Sequence, residues 1–99
     1  MILRKSAIGI LVLTLAGLPA AAEDPRADML AGSCAACHGT DGQSPGSIPA
    51  IAGISAEDMV RLLQAYRSGE ATGTVMNRIA RGFTDEEITA LAAHFAALR

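Results

Sequence analysis

The segment Cys34–His38, with the sequence CAACH, constrains this chain more than any other feature. Two cysteines lie three positions apart, and a histidine follows the second at once. This spacing is typical of c-type haem attachment. Each thiol can add across one haem vinyl group, and the His38 imidazole is then held beneath the iron. The motif therefore predicts Cys34 and Cys37 as the thioether residues and His38 as one axial ligand.

The first 22 residues have the pattern of a cleavable export signal. Arg4 and Lys5 precede an uncharged, largely apolar run over residues 7–18, and small residues at Ala20 and Ala22 fit the cleavage pattern. The run is shorter than the roughly 20 residues that a bilayer-spanning helix needs. We expect cleavage after Ala22, a domain at 23–99 in the periplasm and no stable membrane insertion. An uncleaved anchor is the alternative.

The chain that remains after cleavage is short and acidic. Loss of Arg4 and Lys5 lowers Lys+Arg from 8 to 6 while Asp+Glu stays at 10, so the formal net charge changes from −2 to −4. A nucleic-acid partner is not expected, because binding to phosphates depends on clustered Lys and Arg. The aromatic residues are Tyr66, Phe83 and Phe95. A domain of this size has difficulty burying enough apolar surface, and a covalently bound haem would supply it.

The pattern after the export signal is helical, and no strand pattern competes with it. A first helix is expected to begin at Asp24, as N-cap, and to run towards Cys34 with Met29 on its apolar face. Ser55 and Thr84 are the expected N-caps of two later helices. Their apolar residues recur at helical spacing. These are Met59, Leu62, Leu63 and Tyr66 in one helix, and Ile88, Leu91, Ala92, Phe95 and Leu98 in the other.

Two segments rich in turn-forming residues are predicted loops, at 39–53 and 70–74. The second loop leads to the segment 75–77, after which a short turn or helix is expected to run to Arg81 and to end at Gly82. Met76 lies in a stretch without a helical pattern, where the chain can fold back over the haem face opposite His38. We therefore predict Met76 as the second axial ligand.

The alternatives to Met76 differ in how well they can reach that face. Met29 is close to Cys34 on the same helix, which makes the opposite haem face sterically awkward. Met59 belongs to an apolar helix stripe, where methionine more often fills the core. His94 is expected to pack at a helix contact, with bis-histidine ligation as its alternative. An open or water-bound sixth position also remains, and a thioether would raise the reduction potential relative to a second imidazole.

The chain from residue 24 to residue 99 resembles class I cytochrome c. The likeness is carried by CAACHG at 34–39, IPAIAG at 48–53, the Met76 segment and the final helix. The resemblance implies an all-α fold of three to four helices wrapped around one covalently attached haem c.

The same resemblance implies contacts for individual residues. The Pro49 carbonyl would accept the Nδ1 proton of His38, a contact that fixes the ring and tunes the metal. The first and last helices would cross near Leu30, Leu91 and His94, where His94 replaces the usual tyrosine.

Two runs resemble the cytochrome subunits of flavocytochrome c sulfide dehydrogenases: LQAYRSGE at 63–70 and TVMNRIARGFTDEE at 74–87. This resemblance implies that the chain takes electrons one at a time from the flavin of an FAD-containing, sulfide-oxidising flavoprotein subunit. A downstream redox acceptor would then receive them. No acid–base pair or nucleophile remains once the haem has used the cysteines, so no catalysis is expected on this chain alone.

Other functions remain as alternatives. A free-standing periplasmic mono-haem carrier would use the same residues, and a five-coordinate gas-binding or sensing protein would lack a sixth protein ligand. A thiol–disulfide protein using Cys34 and Cys37 would need a βαβ context, which the helical pattern does not favour. A structural zinc site is disfavoured because the motif lacks a second pair of ligands.

Overall fold

The computed structural model describes residues 7–13 and 24–98 of the chain. Residues 7–13 are exposed and have no regular secondary structure. The rest of the predicted export signal, including Arg4, Lys5 and the cleavage site after Ala22, lies outside the described residues. Within the two described ranges, no helix has the length and apolar content needed to cross a bilayer.

Residues 24–98 contain four α-helices and no strand. The helices are α1 (Ala27–His38), α2 (Ala56–Ser68), α3 (Met76–Ala80) and α4 (Asp85–Ala96), with a 3-10 turn at Thr40–Gly42 between the first two. α4 packs against both α1 and α2, and α2 also packs against α3. The all-α prediction is confirmed, and α4 is the helix that joins the two sides of the fold.

The beginnings of α2 and α4 follow from their local chemistry. The Ser55 hydroxyl accepts a hydrogen bond from the Asp58 N–H at 3.2 Å. The Thr84 hydroxyl accepts from the Glu87 N–H at 3.2 Å, and the Glu87 carboxylate accepts from the Thr84 N–H at 3.0 Å. This reciprocal pair is a capping box, which satisfies two N–H groups that a helix start leaves without partners. Both predicted N-caps are therefore confirmed.

The beginning of α1 differs from the prediction. The helix starts at Ala27, with Arg26 as an N-cap that makes no side-chain cap, so Asp24 as N-cap is wrong. The Asp24 carboxylate instead accepts hydrogen bonds from the Arg26 backbone N–H at 2.9 Å and from its guanidinium at 2.9 and 3.2 Å. Asparagine and aspartate favour such turns to the backbone two residues on. The Arg26 guanidinium also holds the pKa of Asp24 below its ordinary value.

The core lies where α1, α2 and α4 meet. Its largest fully buried side chains are Ile88, Leu91 and Phe95, all on α4. The buried cluster consists of Ala31, Met59, Leu63, Ile88, Leu91, Ala92 and Phe95. Met29 does not belong to it and is 76% exposed, because α1 turns its buried residues Ala27 and Ala31, one turn apart, towards the core.

We expect Thr84→Ala to lower the free energy of unfolding by about 1 kcal/mol, because it removes the acceptor for the Glu87 N–H. Thr89→Ala on the same helix is the matched control. The Thr89 hydroxyl donates to the Asp85 carbonyl at 3.0 Å, a bond within the helix, and alanine is the better helix former. Its effect should stay below about 0.5 kcal/mol. Denaturant unfolding of the haem-loaded protein measures both, and equal losses would contradict the capping argument.

Candidate haem site

The three residues of the attachment motif share one face of α1. His38 is the last residue of the helix, and Cys34 and Cys37 occupy its final turn. Residues three and four positions apart are neighbours on a helix surface, so Cys34 lies next to both Cys37 and His38. Both cysteines are free; Cys34 is half-buried and packs against the core, whereas Cys37 is exposed. This face therefore extends from the core to the surface.

The environment of Cys34 is apolar. Burial raises the pKa of its thiol, and a hydrogen bond with Ser33 opposes that shift. The Ser33 hydroxyl also donates to the Leu30 carbonyl at 2.7 Å. A thiol at the edge of an apolar core suits attachment to a large flat ring whose hydrocarbon body needs burial.

The His38 ring is fixed by a contact with the loop that follows α1. Its Nδ1 atom lies 2.6 Å from the Pro49 carbonyl oxygen. A carbonyl oxygen only accepts, so Nδ1 carries the proton and donates it. In the neutral imidazole with its proton on Nδ1, the other ring nitrogen, Nε2, presents the lone pair that a metal requires. The contact therefore sets both the tautomer and the orientation of the imidazole.

Gly42 anchors the loop that carries Pro49. It is buried, with φ of +72°, and its carbonyl accepts from the N–H of Ile51 at 2.8 Å and from that of the next residue at 3.1 Å. A Cβ on Gly42 would lie 2.9 Å from the Ile51 Cγ1 and 3.0 Å from the Phe95 Cδ1. The Gly53 N–H donates to the Phe95 carbonyl at 2.9 Å. The loop is thus attached to α4 on both sides of Pro49.

Met76 is the first residue of α3, whereas a non-helical position was expected. The N–H groups of Arg78 and Ile79 donate to the Val75 carbonyl at 2.9 and 3.1 Å and close the first turn. Met76 is half-buried and packs against the same core cluster as Cys34. The tertiary structure therefore brings these two residues to one core although they are far apart in the sequence.

The alternative ligands have other environments. Met59 is 5% exposed within the core, and Met29 is exposed on α1. His94 is half-buried at the contact between α1 and α4, with its Nδ1 atom 3.4 Å from an Asp28 carboxylate oxygen. Its ring stands edge-on to Phe95, with the centroids 5.2 Å apart.

Two polar side chains that the sequence analysis did not single out hold the segment around Met76. Arg67, at the end of α2, donates to the Phe83 carbonyl at 3.2 Å and forms an ion pair with Asp85. The Asn77 amide hydrogen-bonds to three backbone groups. No local pattern marks either residue, because their partners are chosen by how α2, α3 and α4 pack.

The residues present fit a covalently bound haem c. The two free cysteines and His38 lie close together at the end of α1, and Met76, from another segment, packs against the same core as Cys34. Thiolate or thioether sulfur and imidazole nitrogen are the donor types that haem proteins use. When bound, haem c supplies a reversible one-electron couple at its iron.

Comparison with known proteins gives the same class. The family model "Cytochrome c" matches residues 26–99. The chain is 46% identical over 72 residues to the cytochrome subunit of sulfide dehydrogenase from Chlorobaculum tepidum. The aligned region covers 73% of this chain and 66% of that protein. It is 40% identical over 84 residues to cytochrome c-554(548) from Halomonas halodenitrificans, covering 81% of this chain and 95% of that protein. The cytochrome c4 structure from Acidithiobacillus ferrooxidans matches with a TM-score of 0.64 and 33% identity, over 67% of this chain and 38% of that chain.

The fold and the site define a small all-α electron-transfer protein with one CxxCH haem motif. The chain belongs to the class I cytochrome c family, and its cofactor is haem c. Membership of this family implies a redox partner with which the chain exchanges electrons.

We expect Gly42→Ala to lower the free energy of unfolding of the haem-loaded protein by about 1–3 kcal/mol. The added methyl group would overlap Ile51 and Phe95 and force a positive φ on a residue with a Cβ. Gly46→Ala is the matched control in the same loop, because no atom lies within 4 Å of its Cβ position. Its effect should stay below about 0.5 kcal/mol. Denaturant unfolding decides; similar stabilities of the two variants would contradict the role of Gly42.

Proposed function

We propose that this chain is the electron-transfer subunit of a sulfide-oxidising flavocytochrome. It accepts electrons singly from the FAD of a flavoprotein subunit and passes them to a downstream redox acceptor. The observation that carries this proposal is the 46% identity with a protein named as the cytochrome subunit of a sulfide dehydrogenase. The runs at 63–70 and 74–87 support it, since both resemble such subunits.

The proposed iron ligands are His38 and Met76, with Cys34 and Cys37 as the thioether residues. Pro49 supports His38 by holding the proton on Nδ1, which leaves Nε2 for the iron. With two axial ligands from the chain, the iron has no free position for a substrate. The chain then binds the haem, buries it and holds its ligands, as expected of a carrier.

Exposed apolar side chains directly precede two of these residues. Ile48, next to Pro49, is 43% exposed, and Val75, next to Met76, is 53% exposed. Apolar surface beside a redox centre suits a protein partner, because contact with a partner removes both surfaces from water. Such side chains serve either to cover the haem or to contact a partner, so their placement is compatible with docking of the flavoprotein beside the proposed ligands.

We infer that residues 1–22 direct export and that the 23–99 domain acts in the periplasm. Support comes from the two basic residues, the apolar run and the small residues before the cleavage position after Ala22.

A free-standing periplasmic carrier is the second candidate. It is supported by the likeness to cytochrome c-554(548), 95% of which is covered at 40% identity, so that relative is a chain of similar extent.

Met76→Ala should abolish the long-wavelength charge-transfer band that a thioether gives with ferric iron, and it should lower the reduction potential. Met29→Ala is the matched control, because Met29 is exposed on α1 and should leave the band intact. An optical spectrum of the ferric protein measures the band. A spectrum unchanged in Met76→Ala would show that the ligand assignment is wrong, and ligand loss in His94→Ala would indicate bis-histidine ligation.

Purification from the native host should recover the chain together with an FAD-containing protein, and sulfide should reduce the haem in that complex. The isolated chain is the control, and its haem should be reduced by sulfide far more slowly because it lacks the flavin. Recovery as a lone haemoprotein would contradict the subunit proposal and favour the free carrier. The intact mass of the recovered chain should correspond to an N-terminus at Glu23.

A further inference from the structure

Asn77, the residue after Met76, engages its side-chain amide fully with the backbone. Its Oδ1 atom accepts from the Gly73 N–H at 2.9 Å. Its Nδ2 group donates to the Tyr66 carbonyl at 2.8 Å and to the Ala71 carbonyl at 2.6 Å. An asparagine amide has two N–H groups and one carbonyl oxygen, so each of these is used.

These bonds join α3, which contains Asn77, to two other parts of the chain. The Tyr66 carbonyl belongs to the last turn of α2, while Ala71 and Gly73 lie in the connection between α2 and α3. Among the described residues, the Ala71 carbonyl and the Gly73 N–H have no hydrogen-bond partner other than Asn77. Both residues are half-buried, so removal of the amide would leave polar groups without full solvation.

The connection also lies directly against Met76. A Cβ on Gly73 would lie 3.1 Å from the Tyr66 Cε1 and 3.4 Å from the Met76 Cβ. Gly73 therefore fits between the tyrosine ring and the base of the methionine side chain. Asn77 binds the Gly73 N–H and so fixes the position of this connection. Movement of the connection would change the packing against Met76.

We propose that Asn77 is a positioning residue for the axial thioether. By fixing the connection at 71–73 against the end of α2, it holds Met76 in place and resists its displacement from ferric iron by small ligands. This inference rests on the proposed ligation by Met76. The three contacts of the Asn77 side chain are all to backbone groups. Asn77 therefore affects the iron only by holding Met76 in place.

Imidazole binding to the ferric, haem-loaded protein tests the proposal. Imidazole must displace the thioether, so its apparent affinity reports how firmly Met76 is held. Asn77→Ala should raise that affinity at least about tenfold, towards the value for Met76→Ala, and should weaken the thioether charge-transfer band. An affinity within about twofold of the wild-type value overturns the proposal.

Ser68→Ala is the matched control. The Ser68 hydroxyl donates to the Ala65 carbonyl at 3.2 Å and accepts from the Glu70 N–H at 3.3 Å. The variant removes two side-chain bonds to the backbone at the same end of α2 and leaves the Asn77 contacts in place. Its imidazole affinity should match the wild type. An increase equal to that of Asn77→Ala would indicate general fraying of α2 and overturn the proposal.

Hydrogen exchange of the wild-type protein tests the same bond without a variant. The Gly73 N–H should exchange much more slowly than that of Thr72, which makes no hydrogen bond within the described residues. Equal exchange of these two amides overturns the proposal even if Asn77→Ala does not fold.

The outcomes separate this inference from the ligand assignment. If the wild type lacks the thioether band and Met76→Ala leaves imidazole affinity unchanged, ligation by Met76 fails and this inference fails with it. If the band is present and Met76→Ala raises the affinity but Asn77→Ala does not, the inference about Asn77 fails alone.

Discussion

The close approach of Gly42 to the Phe95 ring connects the haem motif to the helical core. The missing side chain at Gly42 leaves room for Phe95 and Ile51, and the Gly42 carbonyl binds the chain again where it returns from the loop. The loop between these points carries Pro49, whose carbonyl binds the His38 Nδ1. The packing of Gly42 against Phe95 thus helps to place the carbonyl that binds the His38 ring.

The segment around Met76, the proposed second ligand, is held in a comparable way, but by polar side chains. Arg67 joins the end of α2 to the start of α4, and Asn77 joins α2 to the connection before α3. At the two proposed ligands, His38 and Met76, the Pro49 carbonyl and the Asn77 amide supply uncharged contacts that involve backbone groups. Such contacts restrict the movement of a ligand residue without adding a charge next to it, which suits a redox centre that keeps its ligands in both oxidation states.

Features that depend on neighbours in the sequence were predicted well. Ser55 and Thr84 cap their helices because an N-cap needs only an N–H group two or three residues ahead. Predictions for Asp24 and Met29 failed for reasons of context. Asp24 binds Arg26 in the preceding turn, and α1 presents Ala27 and Ala31 to the core, leaving Met29 exposed. Met76 begins a helix although a non-helical position was predicted. So short an element has no apolar period that would mark it in the sequence.

The sequence by itself determined the attachment motif, the helical class and the places where two helices begin, because each depends on spacing within a few residues. The likeness to cytochrome c, and not the spacing, indicated Pro49 as the partner of His38. Only the tertiary structure decided that Cys34 and Met76 share one core and that Asn77 binds backbone groups at 66, 71 and 73. These contacts follow from how α4 packs against α1 and α2 and from the path of two irregular connections, which no local period in the sequence records.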